Sequence, residues 1–130
     1  MIENSKMPNP AMEMSPQAKE ICDFLDERKA EDIAIFDVSG ISPFATYYVI
    51  ATAPNHRALG AIAELLEDKL EQEGLIRGKA EGTSDSGWII VESEDVIVHL
   101  FTSVNRKEFA LEDLIAKIAG ESKSRADAEN

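Results

Sequence analysis

The sequence predicts a single α/β domain whose mixed sheet of four or five strands is flanked by helices. Three observations lead there. The chain has 130 residues, the usual length of one domain. Its apolar patterns run in the order helix, strand, strand, helix, two or three strands, helix. Several of the extended runs are apolar on both sides, which suits strands covered on both faces. Hydrophobic residues make up 44% of the chain, enough for an ordinary core. A domain of this length buries roughly two-thirds of its unfolded surface, so it needs neither disulfide nor metal to fold.

Residues 1–14 carry Met7, Met12 and Met14 beyond the initiator, Pro8 and Pro10, and no apolar period; they read as a flexible leader. The domain is expected over residues 15–120. Ser15 and Pro16 form an N-cap and first-turn pair, and Ala18, Ile21, Cys22 and Leu25 then share one helical face. Residues 32–38 read as a strand, with Ile33, Ile35 and Phe36 on its two sides. Gly40-Ile41-Ser42-Pro43 breaks it, and residues 46–53 form a second strand rich in β-branched and aromatic side chains. Asn55 caps a long helix that ends at Gly74, with an inward stripe of Leu59, Ile62, Ala63, Leu66 and Leu70 and an outer face of Glu64, Glu67, Asp68 and Glu71.

A short strand is expected near residues 79–82, followed by a flexible loop over Thr83–Gly87. Residues 88–92 and 96–101 then form a hairpin turned at Ser93-Glu94-Asp95. The second arm is apolar on both sides and reads as a central strand. A last helix is expected from Asn105, with Glu108 completing a capping-box pair. Its stripe is Leu111, Leu114, Ile115 and Ile118, and Gly120 ends it. Residues 121–130 contain nothing to bury and read as a disordered tail.

Charge is the most informative bulk property. Thirteen Lys and Arg against twenty-five Asp and Glu give a formal net charge of −12. Nucleic-acid binding draws on cations that displace phosphate counterions, and no basic stripe is present to supply them. An acidic domain is instead drawn to basic protein surfaces, although acid also serves solubility. No apolar run approaches the roughly 20 residues of a membrane span, and the start of the chain lacks the pattern of a secretory signal. The single Cys22 cannot form an internal disulfide, which fits a reducing compartment, the cytoplasm by default.

Catalytic chemistry finds little support. Two histidines, His56 and His99, and one cysteine fall short of a tetrahedral zinc set. His99 lies among apolar residues on a strand, and Asp95, four residues earlier, is too distant to pair with it at about 3.3 Å per residue. Residues 81–87 could resemble a phosphate cradle, but they feed a strand and not a helix N-terminus. Glu92, Glu94 and Asp95 could be imagined as metal-holding carboxylates of a nucleotidyltransferase, but the phosphate-binding turn and helix that such a site requires are missing. No cofactor is expected. Trp88 stands out as the only tryptophan. Alternation puts Trp88 and Ile90 on one face and Ile89 and Val91 on the other. One pair packs the core; the other becomes an apolar interface patch if its face is only partly covered, and tryptophan is the commonest interface hot spot.

Four segments in order carry a resemblance to the ribosomal silencing factor (Iojap-like) family. DIAIFDVSGISPFATYYVI (Asp32–Ile50) resembles its opening strands, and Asn55–Gly74 its long helix. GWIIVESEDVIVHLF (Gly87–Phe101) is similar to its Trp-led hairpin, and NRKEFALEDLIAK (Asn105–Lys117) continues the match through Arg106, Phe109, Leu111, Glu112 and Leu114. Thr46, Glu94 and Ala110 depart from the family's usual Asp, Gly and Tyr. The resemblance implies a nucleotidyltransferase-like fold without catalytic motifs, hence no enzyme. It implies a translational repressor that binds the large ribosomal subunit through ribosomal protein number fourteen, without direct nucleic-acid or membrane contact, and sterically blocks joining of the small subunit. It also implies homodimers. By position, Trp88, Ile89 and Ile90 would supply the apolar docking surface, with Glu92 and Asp95 partnering basic residues. The rival readings are a large-subunit assembly factor and a cryptic nucleotidyltransferase-like enzyme.

Overall fold

The sheet is built around its two most apolar strands. In the computed structural model, which describes residues 15–118, β1 (Glu31–Asp37), β2 (Tyr47–Ala53), β3 (Trp88–Glu92) and β4 (Val96–Thr102) form one sheet in the order β1-β2-β4-β3. β2 and β4 are central and parallel, and β1 and β3 add antiparallel at the edges. A parallel pair needs a crossover, and α2 (His56–Gln72) begins it. The expectations for a leader over residues 1–14, for a tail over residues 121–130 and for a helix end at Gly120 lie outside the described residues.

The helix starts follow local capping chemistry. The Ser15 hydroxyl accepts the Ala18 N–H at 3.1 Å and opens α1 (Pro16–Glu27); the Asn55 side chain accepts the Ala58 N–H at 2.8 Å and opens α2. Both helices lie on one face of the sheet. Ile21 and Leu25 of α1 and Leu59, Leu66 and Leu70 of α2 are buried there against Val49, Ala51, Ile89, Val91, Val98 and Leu100. Gly74, just past α2, has a φ of +71°, as expected of a helix-ending glycine.

Three expectations change. Residues 79–82 form no strand. Only isolated pairings occur here, Ile76 with Ser93 just before it and Glu81 with Ile90 within it, and the positive-φ Gly78 and Gly82 turn the backbone away from the ladder. The Thr83–Gly87 loop is an organised turn, a 3₁₀ helix over Ser84–Ser86 closed by a capping box between Thr83 and Ser86.

The last helix is two. α3 (Ser103–Phe109) follows β4 directly, and Ala110 then takes a left-handed conformation (φ 49°) before α4, residues 111–118. Asn105 is not a cap; its side chain donates to the Ser86 carbonyl at 2.7 Å. The break lets Leu111 and Ile115 fold back onto Ile50 and Phe101 on the second face of the sheet. Leu114 and Ile118, expected on the inward stripe, are exposed.

Candidate functional site

The two faces of the sheet are covered unequally. α1 and α2 seal the first. On the second, α3 and α4 bury Ile50, Thr52 and Phe101 but leave neighbouring apolar side chains only half-buried. The strand register lays these out in rows. Phe36 pairs with Tyr48, Tyr48 with Ile97, and Ile97 with Glu92. In the next row Ala34, Ile50, His99 and Ile90 follow one another, and in the third Thr52, Phe101 and Trp88. Phe36, Tyr48, Ile97, Ile90 and Trp88 thus form a half-exposed apolar strip.

Trp88 anchors one end. Its ring stacks on Phe101 at 5.0 Å between centroids and meets Phe109, the last residue of α3, at 4.8 Å. Phe109 itself is 46% exposed, so the strip continues onto α3. The shape of β3's entry depends on Gly82. Its φ is +96°, and a Cβ there would collide with the Trp88 carbonyl oxygen. Glu81 and Ile90 exchange both backbone hydrogen bonds, at 2.9 and 2.8 Å, so this strap pins the outer edge of β3.

His99 lies beneath the strip. Its Nδ1 accepts the Trp88 Nε1–H at 3.2 Å, which places the proton of the neutral ring on Nε2. That Nε2 is buried without a partner. Burial pushes the His99 pKa down from 6.5 to about 4, so the imidazole is neutral at physiological pH. Tyr48 covers its other side at 4.7 Å.

Of the residues singled out from sequence, the structure gathers Trp88, Ile90 and Glu92 on this face. Ile89 is a correction: it is buried against the α1 and α2 layer, because alternation turns it away from Trp88. Asp95 sits at the far end of the hairpin, in the turn before β4. Its N–H donates to Gln17 Oε1 at 3.2 Å, and its carbonyl accepts from the Thr46 and Tyr47 amides. There it lines a shallow depression with Phe44 and Arg77. Phe36, Tyr48, Ile97 and Phe109 were missed as site residues. Alternation marks the first three as two-sided strand residues, but only the register shows that they share one row that runs across the sheet to Glu92 on the strand of Trp88. The carboxylates Glu92, Glu94 and Asp95 gather around no metal position; among the described residues no group of three or more His, Cys, Asp and Glu is placed to hold one.

Comparison with known proteins points one way. A family model described as "Ribosomal silencing factor during starvation" matches residues 11–130. Ribosomal silencing factor RsfS of Bacillus subtilis is 35% identical over 89 residues, covering 68% of this chain and 75% of the relative. RsfS of Zymomonas mobilis is 33% identical over 94 residues, covering 72% and 71%. A crystal structure of a Chromobacterium violaceum protein superposes with a TM-score of 0.71 at 28% identity, covering 79% of this chain and 88% of that one.

Proposed function

The chain belongs to the ribosomal silencing factor family, and from that premise we propose that it represses translation by docking its Trp88 strip on ribosomal protein number fourteen of the large subunit, where its bulk keeps the small subunit from joining. The observation that carries this reading is the half-exposed strip of Trp88, Ile90, Ile97 and Tyr48, extended by Phe109, on the part of the sheet that α3 and α4 leave open. Monomeric proteins seldom leave contiguous apolar surface uncovered unless something binds it. Aromatic side chains at the centre of such a patch supply most of an interface's energy.

The net charge of −12 supports a basic protein partner. An acidic domain gains nothing from phosphates, but it is steered towards a basic ribosomal protein held among them. Glu92, at the end of the Phe36–Tyr48–Ile97 row, lies at the rim, where a cation of the partner can pair with it. The mode of action is occupancy in the cytoplasm, so no reacting group is required. His99 fits that role: it is neutral and commits Nδ1 to Trp88. Self-association through the same strip would compete with docking.

Gradient sedimentation of purified large and small subunits tests the proposal. The protein should co-sediment with large subunits and deplete joined particles. Trp88→Ala should lose about 2 kcal/mol of binding or more, roughly thirtyfold in affinity, and Ile90→Ser should weaken it in the same direction. Undiminished co-sedimentation of a folded Trp88→Ala protein would remove the strip from consideration.

A further inference from the structure

We propose that His99 is a positioning residue for docking: by accepting the Trp88 Nε1–H on Nδ1 it fixes which edge of the indole faces outward on the strip. The inference rests on the docking reading above and adds to it the residue that pre-organises the anchor.

Fold stability does not account for a histidine here. His99 occupies the central strand β4 between Ile97 and Phe101 and is 5% exposed. Its Nε2 is a buried polar atom without a partner, which costs stability. A phenylalanine at position 99 would fill comparable space and keep the ring contacts with Tyr48 and Phe101, at 4.7 and 6.5 Å, without that cost. The one side-chain hydrogen bond His99 makes is the bond from Trp88.

That bond does something the ring contacts do not. Phe101 at 5.0 Å and Phe109 at 4.8 Å hold the plane of the indole. A half-turn about χ2, a broad and roughly two-fold torsion in tryptophan, would keep the indole near that plane. Such a flip would carry Nε1–H away from His99 and replace the outward edge of the ring with the opposite one. The hydrogen bond distinguishes the two states. A hot spot held in one orientation before contact avoids the ordering cost of choosing it during binding. Burial that keeps the imidazole uncharged also keeps Nδ1 available as an acceptor.

Trp88 is the only tryptophan of the chain, so one indole N–H resonance and one emission spectrum report this site alone. In the full-length His99→Phe protein, the indole N–H should exchange faster with solvent and shift towards the free-indole position. Its thermal midpoint should stay level or rise. Affinity for large subunits should fall about twofold, as the binding-competent orientation drops from most of the population to about half of it. An unchanged resonance and exchange rate overturns the positioning role, and so does undiminished affinity in a protein whose indole has loosened. Should His99→Phe fail to fold, a benzothiophene analogue of tryptophan at position 88, with sulfur in place of the N–H, removes the donor and leaves His99 in place. It should bind with the same loss of about twofold, and full affinity overturns the proposal. Trp88→Ala run alongside separates the two readings: if it binds normally, the docking surface is wrong, whereas if it alone loses affinity, docking stands and the role of His99 falls.

Discussion

Replacing Arg106 with Met should cost about 3 kcal/mol, because one guanidinium holds the second layer of the domain together. Its side chain is 12% exposed. Nη1 donates to the Asp32 carbonyl at 2.7 Å and to the Thr52 hydroxyl at 2.8 Å, while Nε and Nη2 grip the two oxygens of Glu112 at 2.8 and 2.9 Å. The start of β1, the end of β2 and α4 are thereby tied to α3. Asp32 sits at φ 49°, and the Arg106 bond to its carbonyl helps hold that uncommon conformation. A bidentate pair buried throughout would lose 3–5 kcal/mol on removal of one partner, but Glu112 is 33% exposed, so we discount its share to about 1–2 kcal/mol. The bonds to Asp32 and Thr52 add roughly 1 kcal/mol together, or somewhat more because the donor is charged. Methionine preserves most of the stem's packing, so the loss reads the polar contacts. Urea unfolding of wild type, Arg106→Met, Glu112→Gln and the double variant measures it. The midpoint should fall with little change in slope, and the double-mutant cycle should return a coupling of about 1–2 kcal/mol. A loss below about 1 kcal/mol, or strictly additive single variants, would refute the clamp.

Two further outcomes follow from local geometry. Gly82→Ala forces a Cβ against the Trp88 carbonyl at φ +96° and should cost about 1–3 kcal/mol in urea unfolding; a neutral result would mean that the 76–82 strap moves freely of β3. The pH profile should carry the signature of His99, whose pKa burial alone lowers from 6.5 to about 4. Above pH ~6.5 the ring is neutral in folded and unfolded chains alike and the stability is full; as pH falls towards 4 only the unfolded chain takes up the proton, removing about 3 kcal/mol. The rings facing it are Tyr48, Trp88 and Phe101, and Glu92 lies one pair further along the same face of β3. Unfolding of wild type and His99→Phe at pH 7 and pH 4.5 should show a smaller loss in the variant; equal losses would place the acid sensitivity elsewhere.

What could be read directly from sequence was written in local chemistry. Ser15 and Asn55 are caps because their side-chain oxygens accept from amides three residues on, and Gly74 ends α2 because a left-handed residue does so at least cost. The central position of β4 followed from Val96, Val98 and Leu100 opposing Ile97, His99 and Phe101. Ala110 could not be read. Alanine carries no signal for a positive φ, and its conformation comes with the packing of Ile115 in one cluster with Ile50, far away in the chain, and with the pairing of Glu112 to Arg106 across the break. The assignment of Ile89 to the docking surface failed for a related reason. Alternation divides Trp88-Ile89-Ile90-Val91 into two pairs, but which pair faces the sealed side depends on where α1 and α2 lie. Likewise Tyr48 adjoins Ile97 only through the parallel register of β2 with β4, while Ile97 neighbours Ile90 through the antiparallel register of β4 with β3.

Unequal cover also resolves an apparent conflict between charge and location. A chain of net charge −12 would be repelled at contact by the RNA surrounding a ribosomal protein. Glu64, Asp68 and Glu71, however, lie on the outer side of α2, and Glu20 and Asp23 on α1, so this acid belongs to the layer behind the sheet from Trp88. A helix packed on a sheet sets its outer surface more than about 10 Å behind that sheet, and the screening length at physiological ionic strength is about 8 Å. The acidic layer therefore contributes to diffusional attraction and little to the energy of the docked state. On the proposed docking, the partner would meet Trp88, Ile90, Ile97, Tyr48 and Phe109, with Glu92 at the rim. On this division of labour, neutralising α2 carboxylates slows association and leaves dissociation alone, whereas removing the indole does the reverse.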